Sequence, residues 1–213
     1  MLRRMIVSFL FSMILFSLSP VAGAGVDVDF NLGVTASNDD LFLRINANFF
    51  DRDPDFVVRL AKRLPVPDID LPIVLFLAHH SGRNLDLIID MHKKGLSWWD
   101  VSLRLGIPVR IYFMDFPFDP GPPYGKAYGY WKKHRRNPKY RILLSDRELY
   151  DLVTLQVACK YYGLPPRDVI QLRQAGKDFK IILAEEYKHR HIYQKEKAKE
   201  HREKEKEKHG KKK

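Results

Sequence analysis

Residues 71–107 read LPIVLFLAHHSGRNLDLIIDMHKKGLSWWDVSLRLGI, and residues 152–187 read LVTLQVACKYYGLPPRDVIQLRQAGKDFKIILAEEY. A slide of 81 positions lays Gly82 on Gly163 and Gly95 on Gly176. The same slide puts Val74, Ala78, Ile88, Ile89, Met91 and Trp98 on Leu155, Cys159, Val169, Ile170, Leu172 and Phe179. Each stretch reads as helix, glycine turn, helix, glycine turn, helix, with the glycines where helix C-caps fall. A unit of this size cannot bury its apolar face alone, so two copies packed together are the expected core. The expected repeats span about 70–106 and 151–187, within a helical body of 51–187.

Start and stop residues around this pair place the individual helices. Asp53-Pro54 supplies an N-cap and a first-turn proline for a helix through Leu64, ended by Pro65 and Pro67. Asp70 and Pro72 open the next, through His80, and Asn84–Lys94 and Ser97–Leu105 complete the first unit. Ser97-x-x-Asp100 and Ser145-x-x-Glu148 have the spacing of capping boxes. Ile107–Phe113 reads as a short strand or extended arm. The stretch 114–138, rich in proline, glycine and aromatics, reads as a long ordered loop joining the repeats.

Upstream the periodicity changes. Val26, Val28, Phe30 and Leu32 alternate with Asp27, Asp29 and Asn31, and Leu41, Leu43, Ile45, Ala47 and Phe49 alternate with Phe42, Arg44, Asn46 and Asn48. Period two predicts strands, and Gly33–Asp40 between them reads as a turn, so residues 25–50 are expected to form a β-hairpin. An isolated hairpin is marginal in water, which implies that it packs on the helices, meets a protein partner or self-associates. The fold class expected from the whole chain is mainly α, with this short N-terminal hairpin, two three-helix units and a charged tail, helical or disordered, over 188–213.

Residues 1–24 carry Arg3 and Arg4, an apolar run from Ile6 to Leu18 and the small-x-small pattern Ala22-Gly23-Ala24. That order predicts a secretory signal peptide cleaved after Ala24 and a periplasmic or secreted product. The run is too short to span a hydrocarbon core, which takes about 20 residues, and no later stretch is long enough. Export removes the protein from nucleotides and chromosomal DNA. With Cys159 the sole cysteine, an internal disulfide is excluded.

The formal charge of +11 is unevenly placed. Lys188–Lys213 holds 12 Lys/Arg against 5 Glu, and Arg3 and Arg4 add two more positive charges, so residues 25–187 are nearly neutral. Basicity is a property of the low-complexity tail, which suits an anionic envelope polymer or lipid surface.

Candidate chemistry is sparse. Tyr124, Tyr128, Tyr130 and Trp131 interleave with Lys126, Lys132, Lys133, His134, Arg135 and Arg136, putting stacking faces beside positive charge. Of these, the eight residues Tyr124, Tyr128, Tyr130, Trp131, Lys132, Lys133, Arg135 and Arg136 are the candidate binding set, for glycans, anionic polymers or headgroups; alternatively the aromatics fold down as a lid. Residues 93–107 resemble the helix-turn-helix of bacterial DNA-binding proteins. Trp98, Val101 and Leu105 nevertheless take one face of the second helix as core, so no nucleic acid is expected. Asp51-x-Asp53-x-Asp55 starts like a calcium loop but has Phe56 where glycine is needed and Lys62 in place of the closing Glu. His79 and His80 diverge on a helix and cannot share a metal unaided, although His92 or His134 could assist. Asp115 and Asp119 are the one tempting carboxylate pair for acid/base work. No catalytic residue, metal site or cofactor is assigned. The expected function is that of a non-catalytic exported protein with an interaction or structural role at the envelope. A small periplasmic hydrolytic or metal-dependent enzyme is the alternative, and a DNA-binding module follows only if the leader is misread.

Overall fold

The computed structural model describes residues 36–64, 67, 70–136 and 142–210, with side chains to Lys204. The described residues form nine α-helices and a short 3-10 turn, with no strand among them. The helices are α1 (Asn38–Phe49), α2 (Pro54–Ala61), α3 (Leu71–Ser81), α4 (Leu85–Lys93) and α5 (Trp98–Arg104). The 3-10 turn (Val109–Tyr112) follows, then α6 (Gly125–His134), α7 (Asp146–Tyr162), α8 (Pro166–Gln174) and α9 (Phe179–Gly210).

The expected second strand of the hairpin is α1. Ser37 caps it by accepting from the Asp40 amide, and Asp39 and Asp40 in the first turn suit the positive end of the helix. Period two fails because burial runs nearly all round: Leu41, Phe42, Leu43, Ile45, Asn46 and Ala47 are all buried. Phe42, on the polar side of the strand reading, has no exposed surface. Asn46 is accommodated by donating from Nδ2 to the Phe42 carbonyl one turn back. Val26–Leu32, the expected first strand, lies outside the described residues.

Downstream, side-chain caps explain the starts of α2, α4, α5 and α7. Asp53 caps α2 by accepting from the Phe56 amide at 2.7 Å, so the Asp51-Asp53-Asp55 stretch is a helix start. Asn84 and Ser97 cap α4 and α5 in the same way. Ser145 and Glu148 form a reciprocal capping box on α7. Ile107–Phe113 differs from the expected strand or arm, because Val109–Tyr112 curls into the 3-10 turn. Its last two carbonyls, of Ile111 and Tyr112, accept from Gln156 Nε2 on α7. The expected loop 114–138 contains α6, and the tail continues α9 without a break to Gly210.

α3 and α7 lie at the centre, packed on each other. Every residue from Leu71 to Ala78 is buried, and α7 is buried on nearly all sides, as expected of helices enclosed by others. α1 covers this pair and packs along α9 and α2, while α4 and α8 flank α3 and α7.

The shift of 81 residues maps helix bounds onto helix bounds: α3 and α7 end at 81 and 162, α4 and α8 span 85–93 and 166–174, and α5 and α9 start at 98 and 179. Gly82 and Gly163 terminate their helices at φ 67° and 66°. Side-chain contacts map too. His92 Nδ1 donates to the Leu96 carbonyl at 2.8 Å and its ring stacks on Trp98 at 3.8 Å. At the mapped positions, Arg173 donates to the Lys177 carbonyl at 2.7 Å and lies over the Phe179 ring at 4.7 Å. The Asp70 carboxyl faces Trp98 and His92, and burial raises its pKa; mapped Asp151 is ion-paired to Arg173 at 2.9 Å.

A candidate cationic groove beside α6

Between the 3-10 turn and the end of α6 lies an open groove of about 510 Å³, lined by Arg110, Ile111, Phe113, Asp115, Trp131, Arg135 and Arg136. Its wall is built by aromatic packing. Phe113 lies parallel to Trp131, with ring centroids 4.9 Å apart and planes 5° apart, and meets Tyr128 edge-on at 5.1 Å. The Tyr128 hydroxyl accepts from the Met114 amide, fixing the chain just before Asp115. Phe116 then stacks on Phe118 at 4.8 Å and leans on Tyr128 at 4.7 Å.

These contacts explain how α6 forms despite Gly125 and Gly129, which disfavour helix. Ala127 and Tyr128 are buried and Trp131 is half-buried, so tertiary packing overrides propensity. The preceding Phe116–Tyr124 segment is bound to α8. Gln174 Nε2 donates to the Pro120 carbonyl, and the Arg167 guanidinium lies 4.5 Å from the centre of the Phe118 ring.

The eight candidate binding residues divide between these two roles. Tyr124 and Tyr128 are buried, and burial pushes both hydroxyls above the usual phenol range. They belong to the packed layer, Tyr124 beside Asp151 and Arg173. Trp131, Arg135 and Arg136 line the groove. Tyr130 is exposed and stacks with His134, away from the groove lining, and Lys132 donates to the Phe118 carbonyl at 3.5 Å. Lys133 is exposed and lies outside the lining. The structure therefore joins three of the eight with Arg110, Phe113 and Asp115. Nothing in sequence spacing links Phe113 to Trp131, 18 residues apart; only the fold does.

The groove's charge is one-sided. Arg135 reaches Asp115 at 3.7 Å, across a carboxylate 94% exposed to solvent. Among the described residues neither Arg110 nor Arg136 has an ion-pair partner. Guanidiniums offer planar forks of donors that match carboxylate and phosphate, and an indole beside them suits the C–H face of a sugar.

Other candidates resolve into local roles. Asp119 accepts from the Gly121 amide, turning the chain before α6, while Asp115 lies in the groove wall. His79 and His80 sit edge to face at 5.1 Å, packed against Phe50 and Phe76, and burial lowers the His80 pKa. Among the described residues no three His, Cys, Asp or Glu side chains converge as a metal site. In the stretch resembling a helix-turn-helix, Trp98, Trp99, Val101 and Ser102 of α5 are buried, leaving Asp100, Leu103 and Arg104 outward. No described helix is long and apolar enough to cross a membrane.

Comparison with known proteins finds no family model, curated protein or solved structure that matches this chain.

Proposed function

We propose that this chain is an exported, non-catalytic interaction protein that holds anionic envelope material in the groove beside α6. The observation that carries the reading is the convergence of Arg110, Arg135 and Arg136 on the Phe113–Trp131 wall. The C-terminal half of α9 supports it. From Ile192 to Lys204 every residue is exposed, so its lysines and arginines stand in water and add long-range, salt-sensitive attraction. The leader-like residues 1–24 supply the route out of the cytoplasm. We further propose that the scaffold is two copies of one three-helix unit, at about 70–106 and 151–187, supported by the matched helix bounds and glycine caps.

Co-sedimentation of the full chain with isolated envelopes tests the groove. Wild type is expected to sediment at low salt and to be released as salt rises. Arg110→Gln combined with Arg136→Gln should lose several-fold in bound fraction at constant thermal stability. Equal sedimentation of variant and wild type refutes the groove. Recovery of exported protein beginning at Gly25 is the expected processing; an uncleaved cytosolic product refutes export.

A further inference from the structure

We infer that the groove's ligand is a polyanionic glycan presenting two neighbouring acidic groups on linked sugar rings, and that Asp115 is a built-in competitor occupying Arg135 until that ligand displaces it. The inference rests on the groove reading above and adds the ligand's chemistry and a control on its affinity.

Three features define the ligand. Arg110, on the 3-10 turn, and Arg136, just past α6, have no carboxylate partner among the described residues, so two positive charges await an anion in one groove. The end of α6 that carries Arg135 and Arg136 is the negative end of its dipole, so backbone offers an anion nothing and side chains must supply the attraction. A volume of about 510 Å³ bordered by Trp131 accommodates sugar rings laid along an indole.

Asp115 defines the control. Its backbone is pinned from both sides, by the Phe113–Trp131 stack with the Met114–Tyr128 hydrogen bond before it and by Phe116 against Tyr128 after it. The carboxylate itself stands in solvent, 3.7 Å from Arg135. An exposed pair of this kind is weak, so a ligand carboxylate or phosphate can take its place at small cost. The pair holds Arg135 in position and discounts single, weak anions.

The test uses the full chain, tetragalacturonate and galacturonate as probes, and tryptophan fluorescence as readout. Trp98 and Trp99 are buried, so Trp131 reports on the groove, and Trp131→Phe identifies its share of the response. Tetragalacturonate should give a saturable response that Trp131→Phe abolishes, with galacturonate far weaker. Asp115→Asn should tighten tetragalacturonate binding about two- to fivefold, the range of one exposed ion pair. In an Arg135→Gln background that gain should vanish, because competition needs Arg135 whereas general repulsion does not. Equal affinity for both probes overturns the ligand assignment. An unchanged affinity in Asp115→Asn, or a gain that persists in Arg135→Gln, overturns the competitor while leaving the groove in place. Absence of any Trp131-dependent response to either probe overturns the groove reading itself.

Discussion

Arg173→Met should be among the most damaging single substitutions in this protein. The guanidinium donates to Asp151 at 2.9 Å and to the Lys177 carbonyl at 2.7 Å, and lies over Phe179. Both charged side chains are buried, at 6% and 4% exposure for Arg173 and Asp151. Methionine would fill much of the volume but leave the Asp151 carboxylate with only Arg147, which is 56% exposed and 3.2 Å away. Removing one partner of a buried pair costs about 3–5 kcal/mol. For a chain of this size each kcal/mol moves the midpoint by roughly 2–4 °C, so Tm should fall by about 6–20 °C. Urea and thermal unfolding followed by circular dichroism give both numbers. Asp151→Leu with Arg173→Met removes both charges together, and should unfold at a higher temperature than Arg173→Met alone. A loss below about 1 kcal/mol for the single variant, or a double variant as unstable as the sum of its parts, refutes a stabilising role for this buried pair between α7 and α8.

Two further outcomes follow from the same scaffold. Gly82→Ala and Gly163→Ala force a Cβ into left-handed backbone at φ 67° and 66°, yet neither Cβ would meet another atom within 4 Å. Each should therefore cost about 1–2 kcal/mol from backbone alone, with similar losses in urea unfolding; a large inequality would break the correspondence between the two glycine turns. Burial pushes the Cys159 thiol up to about 12, so its thiolate is scarce at neutral pH. The native protein should resist a thiol-specific disulfide reagent that titrates one thiol per chain in denaturant; rapid labelling of folded protein would contradict the packing around α7.

Capping residues made most helices readable. Asp53-Pro54, Asn84, Ser97 and the Ser145–Glu148 box mark starts because each satisfies a free amide locally, and Gly82 and Gly163 mark ends because they accept a left-handed turn cheaply. α1 was hidden because tertiary burial covers so much of its circumference that no clean helical stripe survives, and its apolar residues fell by chance into alternation. Its start signal is Ser37 followed by Asp39 and Asp40, an N-cap and an acidic first turn. α6 was hidden by its two glycines, whose intrinsic cost is outweighed by Tyr128 and Trp131 packing against residues far off in sequence. The groove shared that fate. Its basic end was visible in Trp131, Arg135 and Arg136, but Arg110 and Phe113 arrive from the other side of a turn whose position depends on Gln156.

The continuity of α9 has a mechanical meaning. One unbroken rod of about 48 Å, at 1.5 Å per residue, begins inside the core and ends in solvent. α1 is clasped along its inner half through Lys180 to Asp39 and Lys188 to Asn38, and Arg190 bonds to the Tyr162 carbonyl at the end of α7. Were the outer half held by a surface, as proposed above, no break in the helix would separate that contact from the core. A pull there would reach α1 and α7 through the side chains of Lys180, Lys188 and Arg190.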